Sequence, residues 1–533
     1  MSHPVWDIIV SPRLLHRFFI NIQTFAKMSF NSMLREQSET KNYEGEKAYV
    51  MSPEMELYTA VVTSTLSNKF YEKNDERMLR IFNLVKNVSP EFVAKLAVYT
   101  RNEMNLRSVP LLLVTLLAKV HNGDNLVART VEKTVLRADE IMELLMCYQV
   151  CNPQDDEKKL KKLSRQIQNG LQKAFNRFDE YQFAKYDRDN LEVKLRDALF
   201  LVHPKAKDDA QQLIFNKITD RKLETPYTWE TELSALGQQH FETDDQKNAA
   251  FRQKWEELIC SGRLGYMALL RNLRNILESK VSAEKINIVA SILSDADQVA
   301  KSRQLPFRFL SAYRELQKID SPDTPFLMSA LELAVKRSAA NIEGFDANTS
   351  VLLACDVSGS MCYPVSPRST VECYDIGLML AMLLKRRCRR VVSGIFGDRW
   401  KVVNMPGANI LQSATELRKL NGEVGYSTNG FKVINYLVEN KIIIDKVMFF
   451  TDCQMWDSTG NNNSFKKSWN RYRQFAPNAK LYIFDLVGYG QSPLRILNSG
   501  VYLIGGWSDK VFDILSAVDK GENAVERIMK VEV

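Results

Sequence analysis

Apolar residues recur at helical spacing across the first two thirds of the chain. From about Pro53 to Ala340 they fall three and four residues apart, most clearly in the segment Tyr266–Leu277. There the apolar side chains would form one stripe along a helix, with polar residues on the opposite face. Two further stripes have a proline, Pro110 or Pro325, near their first residue, as helices commonly do. This region is therefore predicted to be a helical bundle or a solenoid of stacked helix pairs.

The pattern changes after a turn-rich segment at residues 341–349. Short apolar runs then alternate with helical patterns, which is typical of a largely parallel sheet with helices on both faces. The predicted strands lie at residues 351–355, 390–396, 446–450, 480–487 and 500–505. The predicted parts of the chain are an N-terminal extension (1–40), a helical module (41–343) and an α/β domain (349–533).

A polar motif follows directly after the first of these predicted strands. Asp356, Ser358 and Ser360 occupy alternate positions at the tip of the apolar run 351–355. Open α/β sheets bind ligands at such strand ends, and carboxylate and hydroxyl oxygens suit Mg²⁺, Ca²⁺ or Mn²⁺. The alternative is that the serines cap a following helix while Asp356 holds the turn.

Two later segments supply further oxygen ligands. Thr428 lies in the glycine-flanked loop 425–430, and Asp452 ends the apolar run that begins at Val447. Taken in order with Asp-x-Ser-x-Ser, these residues resemble the metal-ion-dependent adhesion site of von Willebrand factor type A domains, over about residues 349–533. The resemblance implies a doubly wound α/β fold and a metal shell that an acidic group of a partner often completes. The implied ligands are Asp356, Ser358, Ser360, Thr428 and Asp452, with Mg²⁺ expected first and Ca²⁺ or Mn²⁺ as alternatives.

Arginines of the helical half lie beside the apolar stripes or near predicted helix ends. Arg271 and Arg274 flank the stripe of Tyr266–Leu277. If the helices stack in order, such residues could line one surface and supply charge for the phosphates of a single-stranded nucleic acid. The alternative is that each arginine pairs with a nearby carboxylate, such as Glu103 or Glu278. The other arginines considered are Arg101, Arg107, Arg263 and Arg308.

Four segments of the helical half are recognisable. They closely resemble the TROVE module of the Ro autoantigen family, in which a von Willebrand type A domain follows the module. The resemblance implies an α-helical ring of HEAT-like repeats with a basic central hole that takes single-stranded 3′ ends of misfolded RNAs. For this hole we predict Arg101, Arg107, Arg263, Arg271, Arg274 and Arg308, because of their membership in the motifs or their lateral placement on the helices. The segments are Asn42–Gly45, Ser52–Tyr58, Ala268–Arg274 and Leu305–Phe309.

The same family binds small structured Y RNAs on the outer surface of the ring. Part of that surface follows a Lys-Tyr-x-x-Arg segment and a later Leu-x-His. Lys185, Arg188 and His203 are the residues carried over, but Arg188 comes one position early and is flanked by Asp187 and Asp189. The alternative role for His203 is to cap the C-terminus of a helix, because it precedes a proline after a predicted helix.

The composition of the chain bears on the cellular compartment of the protein and on whether it can be an enzyme. The formal charge of +8 permits an anionic partner, and the eight cysteines are scattered like free thiols of a reducing compartment. No run of about 18 apolar residues predicts a membrane span, so we expect a cytoplasmic protein. No histidine follows His240, which leaves Cys453, beside Asp452, without a base to activate it. We therefore expect no enzyme, with a metal-dependent phosphoesterase as a disfavoured alternative.

These observations and resemblances predict a function in RNA quality control. We expect a monomer that binds misfolded or structured noncoding RNA, with 3′ ends in the central hole and Y-like RNA outside. An exoribonuclease partner such as polynucleotide phosphorylase is implied only by analogy with bacterial family members. The alternative is a metal-dependent adhesion or assembly protein that grips an acidic protein ligand and uses the helical half as a scaffold.

Overall fold

The structure is a computed structural model, and all structural statements concern the residues it describes. The predicted N-terminal extension and the turn-rich segment before Thr349 lie almost entirely outside them. The described residues are 39–64, 72–152, 162–188, 191–338, 349–365, 369–386, 388, 390–406, 408–420, 422–461, 463–496, 500–506, 514–515 and 523–533.

Helices follow one another through the first module, which confirms the prediction from the apolar spacing. Several begin where a serine caps the first turn: the hydroxyl of Ser52 accepts from the amide of Met55, and the hydroxyl of Ser89 accepts from that of Phe92. The helices are α1 (Pro53–Val62), α2 (Asn74–Asn87), α3 (Pro90–Asn102), α4 (Ser108–Val120), α5 (Leu126–Thr134), α6 (Asp139–Cys151), α7 (Arg165–Phe175), α8 (Glu180–Ala184), α9 (Leu195–Val202), α10 (Asp209–Asp220), α11 (Trp229–Gly237), α12 (Asp244–Cys260), α13 (Tyr266–Glu278), α14 (Ala283–Ser294), α15 (Ala296–Ser302), α16 (Pro306–Leu316) and α17 (Thr324–Ser338).

Each helix packs mainly against helices close to it in sequence, as in a solenoid. The predicted stripe of α13 is buried, with Leu269, Leu273 and Ile276 almost inaccessible to solvent. Close approach is enforced where α7 crosses α5, because a Cβ on Gly170 would lie 2.5 Å from the Cβ of Val131. Among the described residues, no helix combines the length and apolar content that crossing a bilayer requires.

The C-terminal domain is built on a mostly parallel six-stranded sheet in the order β5-β4-β3-β6-β7-β9. The five predicted strands are all present within a residue or two, and β5 adds an antiparallel edge that the pattern did not predict. The strands of this sheet are β3 (Ser350–Asp356), β4 (Arg390–Phe396), β5 (Trp400–Val402), β6 (Lys446–Thr451), β7 (Lys480–Asp485) and β9 (Val501–Gly505). Its helices are α18 (Cys373–Lys385), α19 (Ile410–Leu417), α20 (Phe431–Glu439), α21 (Phe465–Phe475) and α22 (Ala524–Met529).

A second, smaller sheet joins the two modules. An N-terminal hairpin, β1 (Glu39–Lys41) and β2 (Lys47–Val50), pairs antiparallel with β8 (Gln491–Ser492) of the C-terminal domain. Tyr49 lies opposite Ser492 in this sheet. The hairpin therefore belongs structurally to the C-terminal domain, although it precedes the helices in sequence.

The first helices of the array pack against one side of the C-terminal domain. The Tyr58 hydroxyl donates to the carbonyl of Gly505 at 2.9 Å, and Thr63 Oγ1 donates to the carbonyl of Val487 at 2.9 Å. The chain comes so close here that a Cβ on Gly488, whose φ is +74°, would lie 2.4 Å from Thr63 Oγ1. A larger residue at position 488 would separate the two modules.

The last helices of the array reach another part of the same domain. Arg314 of α16 makes two hydrogen bonds, of 2.8 and 2.7 Å, to the carboxylate of Asp375 on α18. Both side chains are buried. Because α1 and α16 both contact the C-terminal domain, that domain links the two ends of the helical array and closes the chain into a circuit.

Replacing Arg314 by alanine should destabilise this contact strongly, because the Asp375 carboxylate would stay buried without its cation. The expected loss is about 3–5 kcal/mol in the free energy of unfolding from urea titration. Lys318→Ala is the matched control, since it removes only an exposed ion pair with Glu315 and should cost about 0–1 kcal/mol. Equal losses in the two variants would contradict the assignment.

Candidate functional site

The predicted metal ligands meet at the carboxyl ends of adjacent parallel strands. β3 pairs with β6, so Asp356 at the end of one strand and Asp452 just after the other lie side by side. Ser358 and Ser360 follow β3 directly, and Thr428 belongs to the loop before α20. All five side chains are buried, none more than 5% exposed. The structure thus brings the whole predicted set to one edge of the sheet.

The segment after Asp356 does not serve as the cap of a long helix. Gly359–Cys362 forms a single 3₁₀ turn, and the Ser358 side chain makes no capping hydrogen bond to it. The next α-helix, α18, begins only at Cys373. Asp356 does hold the local turn, because its Oδ1 accepts from the amide of Ser358 at 2.9 Å. The capping alternative therefore explains Asp356 in part and leaves the serine hydroxyls unexplained.

Hydrogen bonds position the two carboxylates but leave one oxygen unsatisfied. Asp356 Oδ2 accepts from the Thr451 hydroxyl at 2.6 Å, and Asp452 Oδ1 accepts from the amide of Gln454 at 3.0 Å. Asp452 Oδ2 is buried and accepts no hydrogen bond from the described residues. A buried carboxylate oxygen without a donor is costly, and a bound cation would remove that cost.

The electrostatics of the site favour a cation as well. Burial and then the charge of Asp452 raise the pKa of Asp356. Burial also raises the pKa of Asp452, an effect that the Ser360 hydroxyl partly offsets. No three His, Cys, Asp or Glu side chains in the described part of the chain form a metal-binding group, so an ion here would also need hydroxyl ligands. Two carboxylates and three hydroxyls are a donor set that fits Mg²⁺, Ca²⁺ or Mn²⁺.

The neighbouring thiol does not look reactive. Cys453 is buried, and burial raises the pKa of its thiol well above the usual value. A thiol in such surroundings yields little thiolate, which is the nucleophilic form. The arrangement around Asp452 thus favours ion binding over covalent chemistry.

Two of the six arginines assigned to the central hole, Arg101 and Arg107, are held by ion pairs to acids of α6. Arg101 is only 8% exposed, and its Nη2 lies 2.8 Å from Glu140 Oε1. Arg107 lies 2.7 Å from Asp139 and 3.4 Å from Glu140. These acids start α6, so both arginines fasten α6 to the preceding helices. Their contact with RNA stays a prediction that this geometry does not favour.

The other arginines of the set are exposed, and two of them, Arg271 and Arg308, lie close enough to interact electrostatically. Arg308 is exposed, yet surrounding protein and then the charge of Arg271 lower its pKa. Arg274 is exposed as well, but it pairs with Glu278 at 2.8 Å, as the alternative from the sequence proposed.

Arg263 lies in a separate groove of about 530 Å³. Its guanidinium carbon lies 5.2 Å from the ring centre of Tyr227, and Tyr181 also lines the groove. A cation and aromatic rings around an open groove provide the contacts that an unstacked base requires. Arg263 therefore combines charge with aromatic rings that line an open groove. Arg308 also lies 5.1 Å from a ring centre, that of Phe307, but Phe307 is buried.

The three residues assigned to the outer surface lie in different local settings. Lys185 is half-buried, with its ammonium 5.8 Å from the ring centres of both Tyr181 and Tyr186. Arg188 is exposed. His203 is the left-handed cap of α9, with φ 49°, and its amide donates to the carbonyl of Leu199. The capping role of His203 is thus present, and its ring remains exposed to solvent.

The sequence analysis did not identify residues that hydrogen-bond to the proposed metal ligands or to the segment beyond them. Thr451 orients Asp356, and its signal was available as the threonine directly before Asp452. Asn42 and Tyr43 belong to a recognised family segment but were given no role, and they hydrogen-bond to Met455 and Gln454 beyond Asp452. Nothing local in the sequence indicates that a segment before the helices returns to this edge of the sheet.

Comparison with protein families divides the chain as the fold does. The profile of the TROVE domain matches residues 35–221 and 219–341, and the profile of the Ro60 vWA domain matches residues 350–517. The solved Ro (RSR) protein of Deinococcus radiodurans superposes with a TM-score of 0.57 at 18% identity, over 88% of this chain and 100% of that one. At this identity, the superposition supports a common fold.

Two curated mammalian proteins are also similar, over part of this chain. Telomerase protein component 1 of Mus musculus is 24% identical over 322 residues, and that of Rattus norvegicus is 25% identical over 311. The matches cover 46% and 44% of this chain. They span only 12% and 11% of those much longer proteins.

Asp356→Asn should separate metal binding from a purely structural role. In a chelator the variant should unfold at a higher temperature than the wild type, because one of two buried like charges is gone. Saturating Mg²⁺ should then stabilise the wild type, by about 2.7 kcal/mol at a concentration 100 times Kd, and leave the variant unchanged. Exposed Asp320→Asn is the control and should respond like the wild type. A wild-type transition unmoved by Mg²⁺, Ca²⁺ and Mn²⁺ would exclude the metal site.

Proposed function

This chain belongs to the TROVE domain family, in the arrangement with a following Ro60 vWA domain that marks the Ro autoantigens, and on that basis we propose that it binds noncoding RNA. The proposal extends to misfolded RNAs held by a single-stranded 3′ end. It also includes structured, Y-like RNA on the outer surface. The relatives named as telomerase protein components support a place in a ribonucleoprotein.

The observation that carries the proposal is the pair of exposed arginines Arg271 and Arg308, which lie close enough for the charge of Arg271 to act on Arg308. Two like charges that lie so close would gain from a phosphate between them, since it screens their repulsion. Arg101 and Arg107 are held by acids of α6. They would stabilise the packing of α6 on the preceding helices and leave the contact with RNA to the exposed arginines.

Lys185, Arg188 and His203 are the proposed contacts for Y-like RNA. The exposure of Arg188 and of the His203 ring leaves both able to reach a phosphate or a base. Lys185 lies near two tyrosine rings, and such aromatic neighbours add stacking surfaces for unpaired bases. Family resemblance supports these three residues more than their geometry does.

For the C-terminal domain we propose a divalent cation, Mg²⁺ first, held by Asp356, Ser358, Ser360, Thr428 and Asp452. The ion would supply positive charge that holds two buried carboxylates together. A scaffold role without catalysis fits this site, because its thiol is buried and its carboxylates face hydroxyls. An exoribonuclease such as polynucleotide phosphorylase remains a proposed partner on the basis of the family resemblance alone.

The decisive experiment compares binding of one structured RNA with and without a single-stranded 3′ tail. Wild-type protein should prefer the tailed RNA, and the double variant Arg271→Glu/Arg308→Glu should lose that preference. Because two phosphate contacts are removed, the slope of log affinity against log salt should fall in magnitude by about 1.4. Fluorescence anisotropy at several salt concentrations would measure both quantities.

A charge-matched control is available on the other module. Lys467→Glu/Arg471→Glu makes the same change in net charge at exposed positions of α21 and should leave the preference for the tail intact. Equal loss in both double variants would reduce the effect to net charge. Indifference of the wild type to the tail and to salt would overturn the RNA proposal.

A further inference from the structure

The groove that contains Arg263 is assembled from three separate parts of the helical module. Tyr181 belongs to α8, Tyr227 lies between α10 and α11, and Arg263 lies between α12 and α13. The volume of the groove, about 530 Å³, falls within the range of about 300–1,000 Å³ that is usual for ligand pockets. The groove is therefore large enough for a ligand of nucleotide size.

Hydrogen bonds fix the sides of this groove before any ligand binds. The Tyr227 hydroxyl donates to Glu257 Oε1 at 3.0 Å, which holds the Tyr227 ring in position. The Glu224 amide donates to Glu180 Oε1 at 3.1 Å, and Lys217 Nζ lies 2.7 Å from the other oxygen of Glu180. Because these residues are ordered in advance, less conformational entropy is lost when a ligand binds.

The groove offers two aromatic rings and one cation to a ligand. Tyr181 is 44% exposed, and Arg263 is exposed as well. No acid of the described residues forms an ion pair with Arg263, whose guanidinium carbon lies 5.2 Å from the centre of the Tyr227 ring. Aromatic rings and guanidinium planes are the surfaces on which unpaired bases of RNA stack.

The charges around the groove decide which part of an RNA it can hold. Glu180 and Glu224 line the groove together with Arg263, and Lys217 pairs with both acids. Two carboxylates are thus balanced by two cations. A site without net charge gives a phosphate little electrostatic gain, whereas stacking on aromatic rings is available to every base. The groove therefore suits an uncharged nucleobase better than the phosphates of the backbone.

Tyr181 also connects the groove with residues proposed for the outer surface. The ammonium of Lys185 lies 5.8 Å from the centre of the Tyr181 ring. Arg188 follows in the same segment of the chain and is exposed. A groove that stacks bases commonly has cations beside it that hold the backbone of the same strand. Lys185 and Arg188 are placed to supply those cations.

We propose that this groove binds one unpaired nucleobase of an RNA whose backbone runs along Lys185 and Arg188. The base stacks on Tyr181 and on the pair formed by Arg263 and Tyr227. Arg263, which the sequence analysis placed in the central hole, then serves RNA on the outer surface. The inference rests on the RNA binding proposed above, and it names the feature that this part of the surface selects, a base outside a duplex.

Fluorescence anisotropy with two RNA hairpins tests the assignment in the full chain. One hairpin has a single bulged adenosine and no 3′ tail, and the other has an abasic nucleotide at the bulge. Wild-type protein should bind the first about 5–150-fold more tightly, the range that stacking of one base provides. Tyr181→Leu/Tyr227→Leu should bind both equally, and Tyr181→Leu alone, at an exposed position, should reduce the preference. Tyr181→Phe/Tyr227→Phe is the matched control, because it keeps both rings and should keep the preference.

The dependence of affinity on salt separates base contacts from phosphate contacts. Tyr181→Leu/Tyr227→Leu should leave the slope of log affinity against log salt unchanged, whereas Arg188→Gln should reduce its magnitude by about 0.7–0.9. Equal binding of the two hairpins by the wild type, or a preference that survives in the leucine variant, would refute the groove as a base site. Failure of the wild type to bind either hairpin refutes the groove if a 3′-tailed RNA is still bound, and refutes the RNA proposal itself if it is not.

Discussion

A stack of helix pairs buries apolar surface only between neighbours, so each end of the stack needs a cover. In this chain one α/β domain contacts both ends, through Gly488 and Gly505 near α1 and through Asp375 near α16. The curvature of the helical array is thereby fixed, because its two ends cannot move apart without exposing a buried ion pair. The helices that carry Arg271 and Arg308 belong to this closed array. In this chain the TROVE module and the vWA domain are thus held together by contacts at both ends of the helical array.

Local acid content explains why arginines with similar sequence surroundings have different roles. Arg101 and Arg107 meet Asp139 and Glu140 at the start of α6, where acids also favour the helix N-terminus. The charges of Arg101 and Arg107 are neutralised by these acids within the helical array. Arg308 has another arginine as its electrostatic neighbour, so a positive potential remains on the surface. The chain thus concentrates uncompensated charge at a few positions although its overall excess is small.

The periodic parts of the fold were predictable, and the contacts between distant segments were not. Helices and buried strands such as β4 were anticipated because each carries enough apolar residues for its period to show. β1, β2 and β8 are two to four residues long, too short for a period. Asp356 and Asp452 lie side by side because parallel strand ends share one edge of the sheet, whereas metal binding by the five predicted residues stays a prediction. The partner of Arg101, by contrast, lies 39 residues away and leaves no local signal.

The pairing of β2 with β8 also has a consequence for the order in which the chain folds. Asn42 leaves the ribosome long before its partner Met455, which lies 413 residues further along the chain. During that interval the helical repeats can stack on their neighbours as they emerge, but the hairpin has an unpaired edge and no sheet to join. Its docking is therefore among the last steps of folding. It requires that the chain has been synthesised at least as far as β8 and that the two modules have met.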